Sequence, residues 1–88
     1  MKVVKGSVVK SLAGRDRDCH YVALEVSDRC VLVSDGKHHK MQAPKRKNVK
    51  HISPTGAVLE ISGMTDKQLR KQLSAFLTRN GRDDPDQD

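Results

Sequence analysis

Three groups of residues in this sequence are able to do chemistry. One is the charged run Gly14-Arg15-Asp16-Arg17-Asp18, which follows Gly6-Ser7-Val8-Val9-Lys10-Ser11-Leu12-Ala13 and precedes a second β-type run, His20 to Val26. Glycine takes positive φ and lets another backbone approach closely, so a loop that opens on one and presents two arginines is built to lean on an anion. The second group is Pro44-Lys45-Arg46-Lys47-Asn48-Val49-Lys50-His51, whose four full positive charges can neutralise phosphates with release of counterions. The third sets a thiol beside an imidazole at Cys19-His20 and two imidazoles together at His38-His39.

Each group also has a plainer reading. Arg15 and Arg17 can pair locally with Asp16 and Asp18, a surface interaction worth about 0 to 1 kcal/mol. The basic run can be a solvated loop. For zinc, neither Cys19-His20 nor His38-His39 has the ligand spacing of a structural site, and neighbours on a strand point to opposite faces. A cysteine nucleophile needs a base that faces it, which a strand neighbour does not do. There is no P-loop and no pair of carboxylates on a common helix face. The expectation is a non-catalytic protein with no cofactor and no metal.

The 88 residues make one domain with a thin core, since a chain this small buries only about 60% of the surface it exposes unfolded. Its net charge is +6 and its pI about 9.6, which favours phosphate-rich or otherwise acidic partners. The charge is uneven. Residues 1 to 50 hold twelve Lys/Arg against five acids, a balance of +7, and the remainder carries −1. Tyr21 and Phe76 are the only aromatics, so stacking of splayed bases is a poor fit and contact with the phosphates and 2′-hydroxyls of folded RNA a better one. Two cysteines without C-x-x-C spacing, no apolar stretch near the roughly 20 residues of a membrane span, and no visible secretory signal point to the cytoplasm. A turn at Ser27-Asp28-Arg29 sets Val26 opposite Cys30 and leaves Cys19 roughly 23 Å further along the strand, so both thiols are expected free.

The elements that must hold these groups are short strands. Val22, Leu24 and Val26 alternate with Tyr21, Ala23 and Glu25, the period of a half-buried strand. Tyr21, on the face opposite Val22, is placed either to stack or to cover the sheet. Cys30 to Val33 is a second strand. Asp35-Gly36 signals a type I′ hairpin, which predicts a strand over His38 to Gln42 that Pro44 ends. Val49 to Ile52 is a short further strand, Pro54-Thr55-Gly56 a turn, and Ala57 to Ile61 is undetermined. Thr65 with Gln68 forms a capping box, and Leu69, Leu73, Phe76 and Leu77 recur at helical spacing up to Asn80-Gly81. That helix should cover an open end or seam of the sheet, because about 13 residues of helix do not stand alone. Five short strands and tight turns give a mainly β chain, a small bent antiparallel barrel with a C-terminal amphipathic helix.

GSVVKSLAGRDRD (Gly6 to Asp18), YVALEV (Tyr21 to Val26), VLVSDGK (Val31 to Lys37) and PKRKNVKH (Pro44 to His51) resemble the KOW family in order and spacing. The similarity is closest to the small KOW-domain RNA-binding proteins related to large-subunit ribosomal proteins of the non-bacterial type. TDKQLRKQL (Thr65 to Leu73) looks like the helix that usually follows. The resemblance implies an SH3-like barrel over residues 1–62 and a helix packed on it over 63–81; the composition of 82–88 is that of an acidic, disordered tail. It also implies binding of structured RNA, ribosomal RNA foremost and the large subunit its setting, without catalysis; the chain is expected to be a monomer. Family contacts map onto Gly14 to Arg17 and Lys45 to Lys50, so the expected RNA-binding residues are Gly14, Arg15, Arg17, Lys37, Lys45, Arg46, Lys47, Asn48, Lys50 and His51. The family often continues its loop with a basic residue and a second glycine where this chain has Asp18-Cys19. The competing expectation is a protein-binding module of the same shape, whose basic face takes an acidic segment.

Overall fold

The computed structural model describes residues 2–79. The helix stop at Asn80-Gly81 and the 82–88 tail lie outside the described residues. Five strands, β1 (Ser7–Ser11), β2 (His20–Val26), β3 (Cys30–Ser34), β4 (Lys45–Asn48) and β5 (Ile52–Val58), form one antiparallel sheet in the order β4-β3-β2-β1-β5, and one helix, α1 (Asp66–Arg79), follows.

Alternation along the strands sends apolar side chains to both faces of the sheet. Val9, Tyr21, Ala23, Val31 and Val33 meet Ile52 on one face, with Val3 and Val49 packed against them. On the other, Val8 and Val22 meet Leu69 and Leu73 of α1, joined by Ile61, Leu24, Met41 and Phe76. The centre of β2 is therefore buried on both sides, and Tyr21 is a core residue at 2% exposure rather than a surface platform. Among the described residues no helix covers the first face. Curling of the sheet closes it: three strand spacings put β4 about 14 Å from β1 in a flat sheet, yet the β4 residue Lys47 bonds the Ala13 carbonyl just past β1 at 3.1 Å.

The helix begins as its sequence prescribes. The Thr65 N–H donates to Gln68 Oε1 at 3.0 Å, and the Gln68 N–H donates to Thr65 Oγ1 at 3.2 Å. It lies on a face of the sheet, not on an open end or seam.

Several expected boundaries differ. Val26 pairs with Val31 rather than Cys30, because Ser27 is the residue set against Cys30: its N–H and hydroxyl both donate to the Cys30 carbonyl. Both cysteines are nonetheless free. No strand spans His38 to Gln42. The Asp35 carboxylate instead accepts from the Lys37 and His39 N–H groups and winds the chain into a loop. Of the Asp35-Gly36 pair only Gly36 has positive φ, which excludes a type I′ turn.

Pro44 precedes a strand instead of ending one: Lys45 to Asn48, expected as loop, is the edge strand β4, whose charges suit an exposed sheet edge. Val49–His51 is a 3-10 turn rather than a strand, with Asn48 Oδ1 accepting the Lys50 N–H at 2.8 Å. Pro54-Thr55-Gly56 is not a turn. It lies inside β5, the opposite edge, where a residue without an N–H is tolerated.

Candidate nucleic-acid interface

Gly14 sits at φ +90°, so its glycine identity is a backbone requirement. The loop it opens is tied at its base, where the Asp18 N–H donates to the Ser11 carbonyl and the Ser11 N–H to the Cys19 carbonyl, both at 2.8 Å. Asp18, at φ +73°, adopts the left-handed conformation that short polar residues reach at modest cost.

Asp16 is the hub beneath the loop. Its Oδ1 accepts from Ser11 Oγ at 3.0 Å and from Lys47 Nζ at 3.1 Å, and its Oδ2 accepts from the Tyr21 hydroxyl at 2.8 Å. The Asp16 and Lys47 side chains are only 13% and 9% exposed. Burial opposes ionisation of Asp16, but the hydrogen bonds from Tyr21, Lys47 and Ser11, with the charge of Lys47, outweigh it and hold the pKa at about 2. Burial, and then the bond to Asp16 and its charge, push the Tyr21 phenol well above its ordinary value. Asp16 is therefore held as an anion down to about pH 2, hydrogen-bonded to the Lys47 side chain.

This pairing sorts the expected contacts. Lys47, counted among the solvent-facing cations, points inward and spends its charge on Asp16. Arg15 and Arg17 do not pair with the loop acids: Asp16 belongs to Lys47, and Asp18 meets Lys10 at 3.5 Å. Both arginines are exposed, and neither enters an ion pair among the described residues. On β4, Lys45 lies opposite Val33 and is half-buried, whereas Arg46 lies opposite Leu32, is exposed, and directs Nε to Cys30 Sγ at 3.4 Å. Asn48, Lys50 and His51 are exposed beyond it. The His51 carbonyl takes the Leu12 N–H at 2.8 Å, so the 3-10 turn abuts the strand end from which the Gly14 loop springs.

The Gly14 loop and the Lys45-to-His51 segment are thus brought together, through Lys47 and His51. Lys37 lies on a separate segment, the Asp35 loop, whose Gly36 packs against α1. Ser11, Asp16 and Tyr21 were absent from the expected site. The one signal for them was Ser11, which continues the inward face of Val9 along β1, since a fully buried hydroxyl needs a partner.

The Cys19 thiol is pushed up, first by desolvation and then by the charges of Asp16, Asp35 and Asp18, which disfavours the thiolate. His39 sets its ring edge-on to Tyr21 at 5.8 Å. Among the described residues no three His, Cys, Asp or Glu side chains gather as a metal site, and no helix is long and apolar enough to cross a membrane. No protein-family model matches this chain, and no curated protein matches it.

Proposed function

We propose that this chain is a non-catalytic, cytoplasmic RNA-binding protein of KOW type, its curled sheet an SH3-like barrel, which holds structured RNA, ribosomal RNA foremost, by its phosphates. The observation that carries this is the pairing of the loop acids with Lys47 and Lys10. It leaves Arg15 and Arg17 exposed on a loop braced from below, which lowers the ordering cost of a contact. Arg46, Asn48, Lys50 and His51 flank that loop on the adjoining segment, with Lys45 half-buried at its start. Burial of Tyr21 removes one of the chain's two aromatics as a base-stacking platform, which favours backbone contact over base readout.

The test is nuclease sensitivity followed by rebinding. The protein is expected to purify with RNA that nuclease removes, and then to rebind fragments of large-subunit ribosomal RNA. Retention of protein partners through nuclease treatment, with no rebinding of RNA, would replace this function with recognition of an acidic protein segment.

A further inference from the structure

The helix carries more positive charge than its role as a cover for the sheet requires. Lys67, Arg70 and Lys71 recur at helical spacing, with Ser74 and Thr78 continuing the row, and all five are exposed. Lys67, Lys71 and Thr78 lie on the side of α1 away from Leu69 and Leu73, which the sheet buries, and Arg70 and Ser74 flank that buried stripe. The Asp35 loop joins this face. Gly36 packs so tightly on the first turn of α1 that a Cβ there would collide with the Asp66 carbonyl oxygen and lie 3.0 Å from the Arg70 nitrogen. Lys37, the next residue, and Lys40 are exposed beside it.

The acids of these two segments do not cancel the charge. Asp35 is engaged by the Lys37 and His39 N–H groups and Asp66 by the Met41 N–H at 2.7 Å, and none of the five cations forms an ion pair among the described residues. The same loop leads back to the first site, because His39 packs on Tyr21 and Tyr21 holds Asp16.

We propose that the RNA-binding surface continues from the Gly14 loop across the Asp35 loop onto the exposed face of α1, where Lys37, Lys40, Lys67, Arg70 and Lys71 hold a second stretch of phosphate backbone. This rests on the RNA reading above and extends its footprint to an element outside the expected contacts. A row of side chains along a straight helix suits a ridge of evenly spaced phosphates, and an ammonium or guanidinium can engage each one.

The test measures binding of a labelled ribosomal RNA hairpin across a salt series, with three variants. Lys67→Gln/Arg70→Gln/Lys71→Gln keeps good helix formers in α1, so the fold is expected to persist, checked by circular dichroism. Its log-log salt slope should be shallower by about 0.7 to 0.9 for each phosphate no longer neutralised, with roughly two such phosphates in all. Arg15→Gln/Arg17→Gln should weaken binding separately. An unchanged slope in the helix variant, with the arginine variant weakened, would overturn the helix surface and leave the RNA reading standing. An equal change in Lys2→Gln/Lys5→Gln would also overturn it, since net charge alone would then account for the effect. Failure of the unaltered protein to bind the hairpin would remove both.

Discussion

Asp16 and Lys47 are 31 residues apart in the chain and make one ion pair beneath the Gly14 loop. Removing either partner strands the other charge, so Asp16→Ala and Lys47→Ala should each cost about 3 to 5 kcal/mol, and the double variant less than their sum. Urea unfolding of the four proteins measures the coupling. The same group gives a pH dependence. Because the folded pKa of Asp16 is about 2, below its ordinary 3.8, its contribution is complete above about pH 4 and is lost as pH falls toward 2. The loss amounts to about 2 kcal/mol, and Asp16→Asn should show correspondingly less of it. At Gly14 the positive φ decides the outcome: Gly14→Ala should cost about 1 to 2 kcal/mol in stability, read in the same unfolding curves. The need for glycine at 14 was legible from the sequence, because the residue type itself signals the backbone. The partner of Asp16 was not, because alternating Arg and Asp point to local pairs while the curl of the sheet chooses a lysine from a distant strand.

Among the elements, those with a strong period were legible and those with conflicting local signals were not. β2, β3 and α1 follow from alternation, β-rich composition and the capping box. β4 reads as loop because every residue in Lys45–Asn48 is charged or polar, yet an edge strand needs only one buried side, and Lys47 supplies it. β5 is hidden by Pro54 and Gly56, tolerable at an edge for the same reason. Asp35-Gly36 carries the local signal of a hairpin and so of a strand at His38 to Gln42, but the Asp35 side chain competes for the N–H groups a ladder would use. Gly36 shows what that loop does instead: it is the seat of α1. Gly36→Ala should push the helix off the sheet and cost about 1 to 3 kcal/mol from overpacking alone, a further loss coming from its φ of +75°. Thermal unfolding checks this, and near-ultraviolet spectra should report changed packing around Tyr21, whose ring touches the same loop through His39.

For the molecule as a whole, charge divides into cations that hold the fold together and cations that face solvent, and the two kinds should separate by experiment. Lys47 belongs to the first kind, and Arg15 and Arg17 to the second. Arg15→Gln/Arg17→Gln should leave the melting temperature nearly unchanged, since exposed substitutions away from special features usually fall within about 0.5 kcal/mol. It should flatten the salt dependence of RNA binding by about 0.7 to 0.9 for each phosphate the arginines neutralise. Lys47→Met should do the reverse: a lower melting temperature, because Asp16 is left buried without its cation, and a salt slope that stays the same when measured well below that temperature. Affinity in the Lys47 variant can still fall, as a loop no longer braced pays more to order against the RNA, but that decrease should be alike at all salt concentrations. A flattened slope in the Lys47 variant would place its charge on the RNA and not on Asp16. An unflattened slope in the arginine variant would remove the Gly14 loop from the binding surface, and leave the Arg46-to-His51 segment and the helix face to supply it.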